Sequence, residues 1–211
     1  MALLKDMTLV QFNDELAADS AAPGGGSVAA LSGALGASLV SMVCRLTIGK
    51  KGYEEFQDEV KEVLAESEEL RRTLVDAIDT DAGAFDRVME AFAAPKGTEE
   101  EREARRELIQ TAFKGACESP SNIAIGCLQV LRLCARIAEK SNVNAASDLG
   151  VASSAALAGL ESAVMNVFIN LASIKDEDYV DEMESRMETL HEEGAILKAG
   201  VLRVVPGHLG S

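Results

Sequence analysis

The chain has 211 residues, of which 47% are hydrophobic, so it can bury a sizeable core as one domain (1–211) without metals or disulfides. Aromatic residues make up 4%, Trp is absent and only four prolines interrupt the chain, which favours helices built from small and aliphatic side chains over sheets. A formal net charge of -15 repels phosphate backbones and anionic lipid, which argues against nucleic-acid and membrane-surface partners.

Met1 to Asp14 carries early charges and lacks a signal-peptide hydrophobic run, so a cytoplasmic location is expected. Thr8 to Ala18 reads as a short amphipathic helix with an N-cap at or beside Thr8. After a loop from Ser20 to Gly26, Ser27 is expected to cap a helix reaching about Ile48. That helix is apolar on nearly all sides, with small residues at Ala29, Gly33, Ala37 and Ser41, and belongs inside a bundle. The uncharged run from Ser20 to Cys44 is long enough to span a bilayer, but Pro23-Gly24-Gly25-Gly26 breaks it and the buried reading is preferred.

Gly49-Lys50-Lys51-Gly52-Tyr53 forms a basic turn. Beyond it Phe56, Val60, Val63, Leu64, Leu70, Leu74, Ile78, Phe85, Val88, Met89 and Phe92 recur at helical spacing. They predict one amphipathic helix about 55–60 Å long. Pro95 to Thr98 is a turn, and Thr98 with Glu101 forms a capping box into a charged helix reaching about Glu118. Pro120 is expected to begin the next helix, ending near Lys140. After a polar connection from Ser141 to Ser147, a second apolar helix runs from about Asp148 to Ile174, and a last, amphipathic one from Asp176 to Val204. The fold class is all-α: a helical bundle with two buried apolar helices and one long amphipathic helix.

Neither the four cysteines nor His191 and His208 have ordinary metal-ligand spacing, so no metal site is expected. Asp81 interrupts the apolar stripe between Ile78 and Phe85, and must be paired, hydrogen-bonded or open to a cleft, or else sit where the helix unwinds. Asp148, Ala152, Ala155, Gly159, Ser162, Asn166 and Asn170 line one face of the second apolar helix. That stripe fits either a groove for a flat ligand or close helix packing, with packing the stronger reading from pattern alone. Gly24-Gly25-Gly26-Ser27 opens a buried helix whose free N–H groups suit a carboxylate or phosphate. Lys50 and Tyr53, three apart, either share a proton-shuttling face or form a basic helix cap.

Taken in order, Pro23-Gly24-Gly25-Gly26-Ser27, Gly49-Lys50-Lys51-Gly52-Tyr53, Asp81 with Phe85 and Asp86, Asn142-Val143-Asn144, Ser147-Asp148 and Gly150-Val151-Ala152 form a specific combination. The chain, from about Thr8 to Ala199, resembles the formiminotransferase–cyclodeaminase C-terminal domain and its stand-alone relatives, the methenyltetrahydrofolate cyclohydrolases. The stretch Ser41 to Lys51 looks especially like the latter. The resemblance implies an all-α homodimer acting on the one-carbon bridge of tetrahydrofolate, with no cofactor beyond that folate. Lys50, Tyr53, Asp81 and Asp148 are the catalytic candidates. Gly24, Gly25, Gly26, Ser27, Asn144, Asn166 and Asn170 are the substrate-binding candidates.

Overall fold

The structure, a computed structural model, describes residues 3–20 and 22–208, apart from the side chains of residues 82, 84, 85 and 206–208. Six α-helices follow one another: α1 (Leu9–Leu16), α2 (Gly25–Thr47), α3 (Gln57–Ala93), α4 (Glu99–Ile137), α5 (Ala146–Leu171) and α6 (Glu177–His208). Three single 3-10 turns lead into α1, α3 and α5, and no strand occurs among the described residues. The molecule is the expected all-α bundle.

Two helix starts follow directly from the local sequence. Thr8 Oγ1 accepts from the Gln11 N–H at 3.2 Å, and Gln11 Oε1 accepts from the Thr8 N–H at 3.0 Å. Thr98 and Glu101 make the same reciprocal pair at 3.2 and 3.1 Å. Each box satisfies two N–H groups that a helix start leaves without partners.

The start of α2 departs from expectation. Gly24, not Ser27, is the cap residue, and its lack of a side chain leaves the end uncapped by any side-chain bond. Ser27 is two residues inside the helix, fully buried, and its hydroxyl donates to the Ile78 carbonyl of α3 at 2.9 Å.

Pro120 also corrects the sequence reading. It sits inside one continuous α4 of 39 residues instead of opening a new helix. A proline has no N–H for the carbonyl four residues earlier, here that of Ala116. Asn170 of α5 supplies the missing donor, its Nδ2 reaching Ala116 O at 3.1 Å.

The bundle has two layers. Helices α2 and α5 lie side by side and pack on α3 and α4, while α6 covers α4 and α5. The α2–α5 pair is antiparallel and close. A Cβ on Gly36 would stand 3.0 Å from Ala152 O, and one on Gly159 would stand 2.8 Å from Ala29 O. Such crowding leaves room for no side chain at either position, and it is why these helices are rich in Gly and Ala. By length and mean hydropathy (1.8 and 1.4) the segments Gly25–Thr47 and Val143–Leu171 are each apolar enough to cross a membrane, yet here they form the central pair.

The stripe on α3 is half right. Val60, Val63, Leu74, Ile78 and Val88 are buried, but Met89 and Phe92 are 51% and 44% exposed. There α3 meets α4: Phe92 packs on the Phe113 ring edge-on at 6.0 Å, and Arg105 donates to Phe92 O at 3.2 and 3.0 Å.

Candidate active site at the two ends of helix α2

Because α2 and α5 are antiparallel, the candidate residues separate into two groups, one at each end of α2. Twenty-two helical steps, at ~1.5 Å each, put these ends roughly 33 Å apart.

At the amino end the loop glycines meet Asp81. A Cβ added at Gly26 would fall on the Asp81 carboxylate, so only glycine allows this carboxylate to rest against the helix start. A Cβ on Gly25 would stand 3.1 Å from Asn166 Nδ2 of α5. Asp81 is half-buried, as its place on the apolar stripe predicts. Burial raises its pKa above the ordinary carboxylate value, and the Ser119 hydroxyl of α4 partly opposes this. Ser119 is a site neighbour that pattern reasoning missed. The one signal was a polar residue directly before the proline, on a helix otherwise read as two.

The two asparagines differ in freedom. Asn166 Nδ2 donates to Ser162 O at 2.7 Å, within its own helix. Asn170 Nδ2 is shared between Ala116 O and Asn166 O at 3.1 and 3.0 Å. Its amide thus ties α5 to α4, the packing role weighed for the small-residue stripe. Gly159, pressed against α2, is the centre of that stripe.

At the carboxyl end the chain leaves α2 through Gly49 and Gly52, at φ +73° and +92°, a region open chiefly to glycine. This double turn brings Tyr53 back beneath the helix. Its hydroxyl accepts the Val143 N–H at 3.0 Å, which leaves the phenolic proton free to donate elsewhere. Asn142, buried, holds the same junction: its N–H donates to Thr47 Oγ1 at 2.9 Å and its Nδ2 to Leu46 O at 3.1 Å. Asn142 was visible only as part of the Asn-Val-Asn motif. Asn144, exposed, donates its N–H to Asn142 Oδ1 at 3.1 Å. Asp148, half-buried, lies in the first turn of α5, two residues inside the helix, and Lys50 is half-buried in the turn.

The chain thus supplies an amino end with a half-buried carboxylate beside a helix start that no side chain caps, and a carboxyl end with an ammonium, a phenol and a second carboxylate. Carboxylates, an ammonium and a phenol are the residue types that charge stabilisation and proton transfer draw on. A surface cleft of about 770 Å³ between Glu103, Arg106, Gln110 and Lys175 touches none of these residues. Among the described residues no group of three or more His, Cys, Asp or Glu is arranged to hold a metal.

Comparison with known proteins agrees across the whole length. The family model for formiminotransferase-cyclodeaminase matches residues 8–189. A methenyltetrahydrofolate cyclohydrolase from Methylorubrum extorquens is 46% identical over 198 residues, covering 94% of this chain and 95% of that protein. The mouse formimidoyltransferase-cyclodeaminase is 35% identical over 94% of this chain, but over 37% of its own length. The crystal structure of a formiminotetrahydrofolate cyclodeaminase from Thermotoga maritima superposes with a TM-score of 0.87 at 30% identity, covering 98% of this chain and 99% of that one. This chain belongs to the formiminotransferase-cyclodeaminase family.

Proposed function

We propose that this protein is a methenyltetrahydrofolate cyclohydrolase that works as a homodimer in the cytoplasm. The observation that carries this reading is the 46% identity to a cyclohydrolase along 95% of that protein's length. The location accords with four cysteines that are all free and buried, the usual state of thiols in a reducing compartment.

The substrate carries a CH bridge between N5 and N10 as an amidinium cation. Water adds to that carbon and gives up a proton, forming a neutral tetrahedral adduct. The carbon–N5 bond then breaks while N5 takes a proton and the adduct's hydroxyl gives one up, leaving a formyl group on N10. One water is consumed and one proton released, and the steps ask for no metal or redox cofactor. Asp81 or Asp148 stabilises the cation or accepts the water proton, because a carboxylate in a dry pocket attracts a cation strongly. Lys50 and Tyr53 orient the water and return the proton to N5. Gly24, Gly25, Gly26 and Ser27 present backbone N–H groups to substrate oxygens, and the carbonyl oxygens of Asn144, Asn166 and Asn170 face its donors.

The test is loss of the near-ultraviolet absorbance of 5,10-methenyltetrahydrofolate on mixing with purified protein. Accelerated loss over the uncatalysed reaction is expected. The Thermotoga relative favours one second reading, ring closure of 5-formiminotetrahydrofolate with release of ammonia, at the same site. Ammonia release outpacing methenyl hydrolysis would replace the first reading by the second.

A further inference from the structure

The hydroxyls of α2 are not all used alike. Ser32, Ser38 and Thr47 donate to carbonyls four residues earlier in their own helix, at 2.8 Å each, and Ser41 pairs with Ser67. Ser27 stands in the first turn, where α2 offers no preceding turn to bond, and its hydroxyl crosses to Ile78 O of α3 at 2.9 Å. The residue is fully buried, at a place where alanine would leave no polar group to satisfy. What the hydroxyl adds over a methyl is direction. Apolar contacts between α2 and α3 are non-directional, whereas a hydrogen bond fixes distance and angle.

The bond lies one helical turn from Asp81. Ile78 and Asp81 are three apart on α3 and share a face. Ser27 directly follows Gly26, whose backbone lies against the Asp81 carboxylate. We infer that Ser27 is a positioning residue: its hydroxyl pins α3 to the start of α2 and so holds the Asp81 carboxylate where the substrate cation binds. The side chain thereby has a role apart from the backbone N–H contact proposed for the same residue. A carbonyl oxygen carries two lone pairs, so Ile78 O takes this bond without leaving the hydrogen-bond ladder of α3. The inference rests on the proposed reaction, with Asp81 as the carboxylate that meets the cationic bridge.

Variant kinetics test this, with whichever folate the wild type turns over. Ser27→Ala is expected to keep its helical circular dichroism, with Tm lower by about 2–4 °C. Its kcat/KM should fall roughly 10-fold, short of the ~100-fold that a displacement of about 1 Å brings. The loss should divide between kcat and KM as it does for Asp81→Asn, since both substitutions act through one carboxylate. Ser27→Cys fills the same place with a weak donor and should be as slow as Ser27→Ala. In the double variant Ser27→Ala/Asp81→Asn, kcat/KM should equal that of Asp81→Asn alone. Losses that multiply would overturn the inference, as would wild-type rates for Ser27→Ala, Ser27→Cys or Asp81→Asn. Hydrogen exchange reads the pinning without turnover: α3 amides around Ile78 to Asp81 should exchange faster in Ser27→Ala than in wild type. Unchanged exchange would sink the inference even where rates fall. A wild type that turns over neither folate, with faster exchange in Ser27→Ala, would fail the proposed function and leave the pinning standing.

Discussion

The two ends of α2 are built on different principles. At the amino end, geometry comes from lack of space: Gly26 is there because the Asp81 carboxylate occupies the volume of its missing side chain. At the carboxyl end there is room to spare, since a Cβ on Gly49 or Gly52 would meet nothing within 4 Å. What matters there is backbone conformation, two left-handed residues that turn the chain so that Tyr53 reaches Val143. Packing-built and turn-built ends respond differently to substitution, which makes the contrast testable.

The largest effect is expected from Gly26→Ala. The added methyl must displace Asp81, and misplacement of a reacting group by about 1 Å costs on the order of 100-fold in rate. Steady-state kinetics on a variant with unchanged helical content would show it. Wild-type turnover would mean that the carboxylate is free to move and that the tight packing is incidental. Tyr53→Phe comes next, with kcat down about 10-fold or more through loss of the phenolic proton. An unchanged kcat would reduce Tyr53 to a structural prop for Val143.

Smaller effects appear in stability. Asp81→Asn removes a carboxylate whose ionisation burial opposes, and it should raise Tm by about 1–3 °C near neutral pH. The sign follows from linkage. Below the ordinary aspartate range both folded and unfolded chains hold the proton, and the variant gains nothing. As pH rises through that range toward the raised folded value, the unfolded chain ionises first and the wild type loses stability that the variant keeps. A gain in Tm that is the same at pH 3 and pH 7 would assign the effect to packing. A change of similar size and opposite sign is expected for Gly52→Ala, which strains a residue at φ +92° by about 1 kcal/mol while leaving the amino end untouched. Denaturant titration reads that loss, and a destabilisation well beyond it would point to contacts that Gly52 does not make in this structure.

What the amino-acid order revealed was largely local. The capping boxes at Thr8 and Thr98 were legible because their bonds close within three residues. The apolar helices were legible because nearly every face is hydrophobic. The errors share one cause, a partner remote in sequence. Ser27 looks like a cap, yet its bond goes to Ile78, 51 residues away. Met89 and Phe92 keep the helical period where they are largely exposed, so the period alone overstates their burial. The candidate residues were named from the sequence, but not their division between two ends, because an antiparallel pairing of α2 and α5 leaves no trace in residue spacing. Ser119 went unnoticed because nothing near it in the chain points to Asp81.

Pro120 and Asn170 make a pair whose worth cannot be assigned to either member. Alanine at position 120 would restore an N–H to Ala116 O and leave the Asn170 amide redundant. Alanine at position 170 alone would strand a carbonyl in the interior, at about 1–3 kcal/mol. The double substitution should therefore cost less than the sum of the singles, and in the descent of such chains the two positions are expected to change together or not at all.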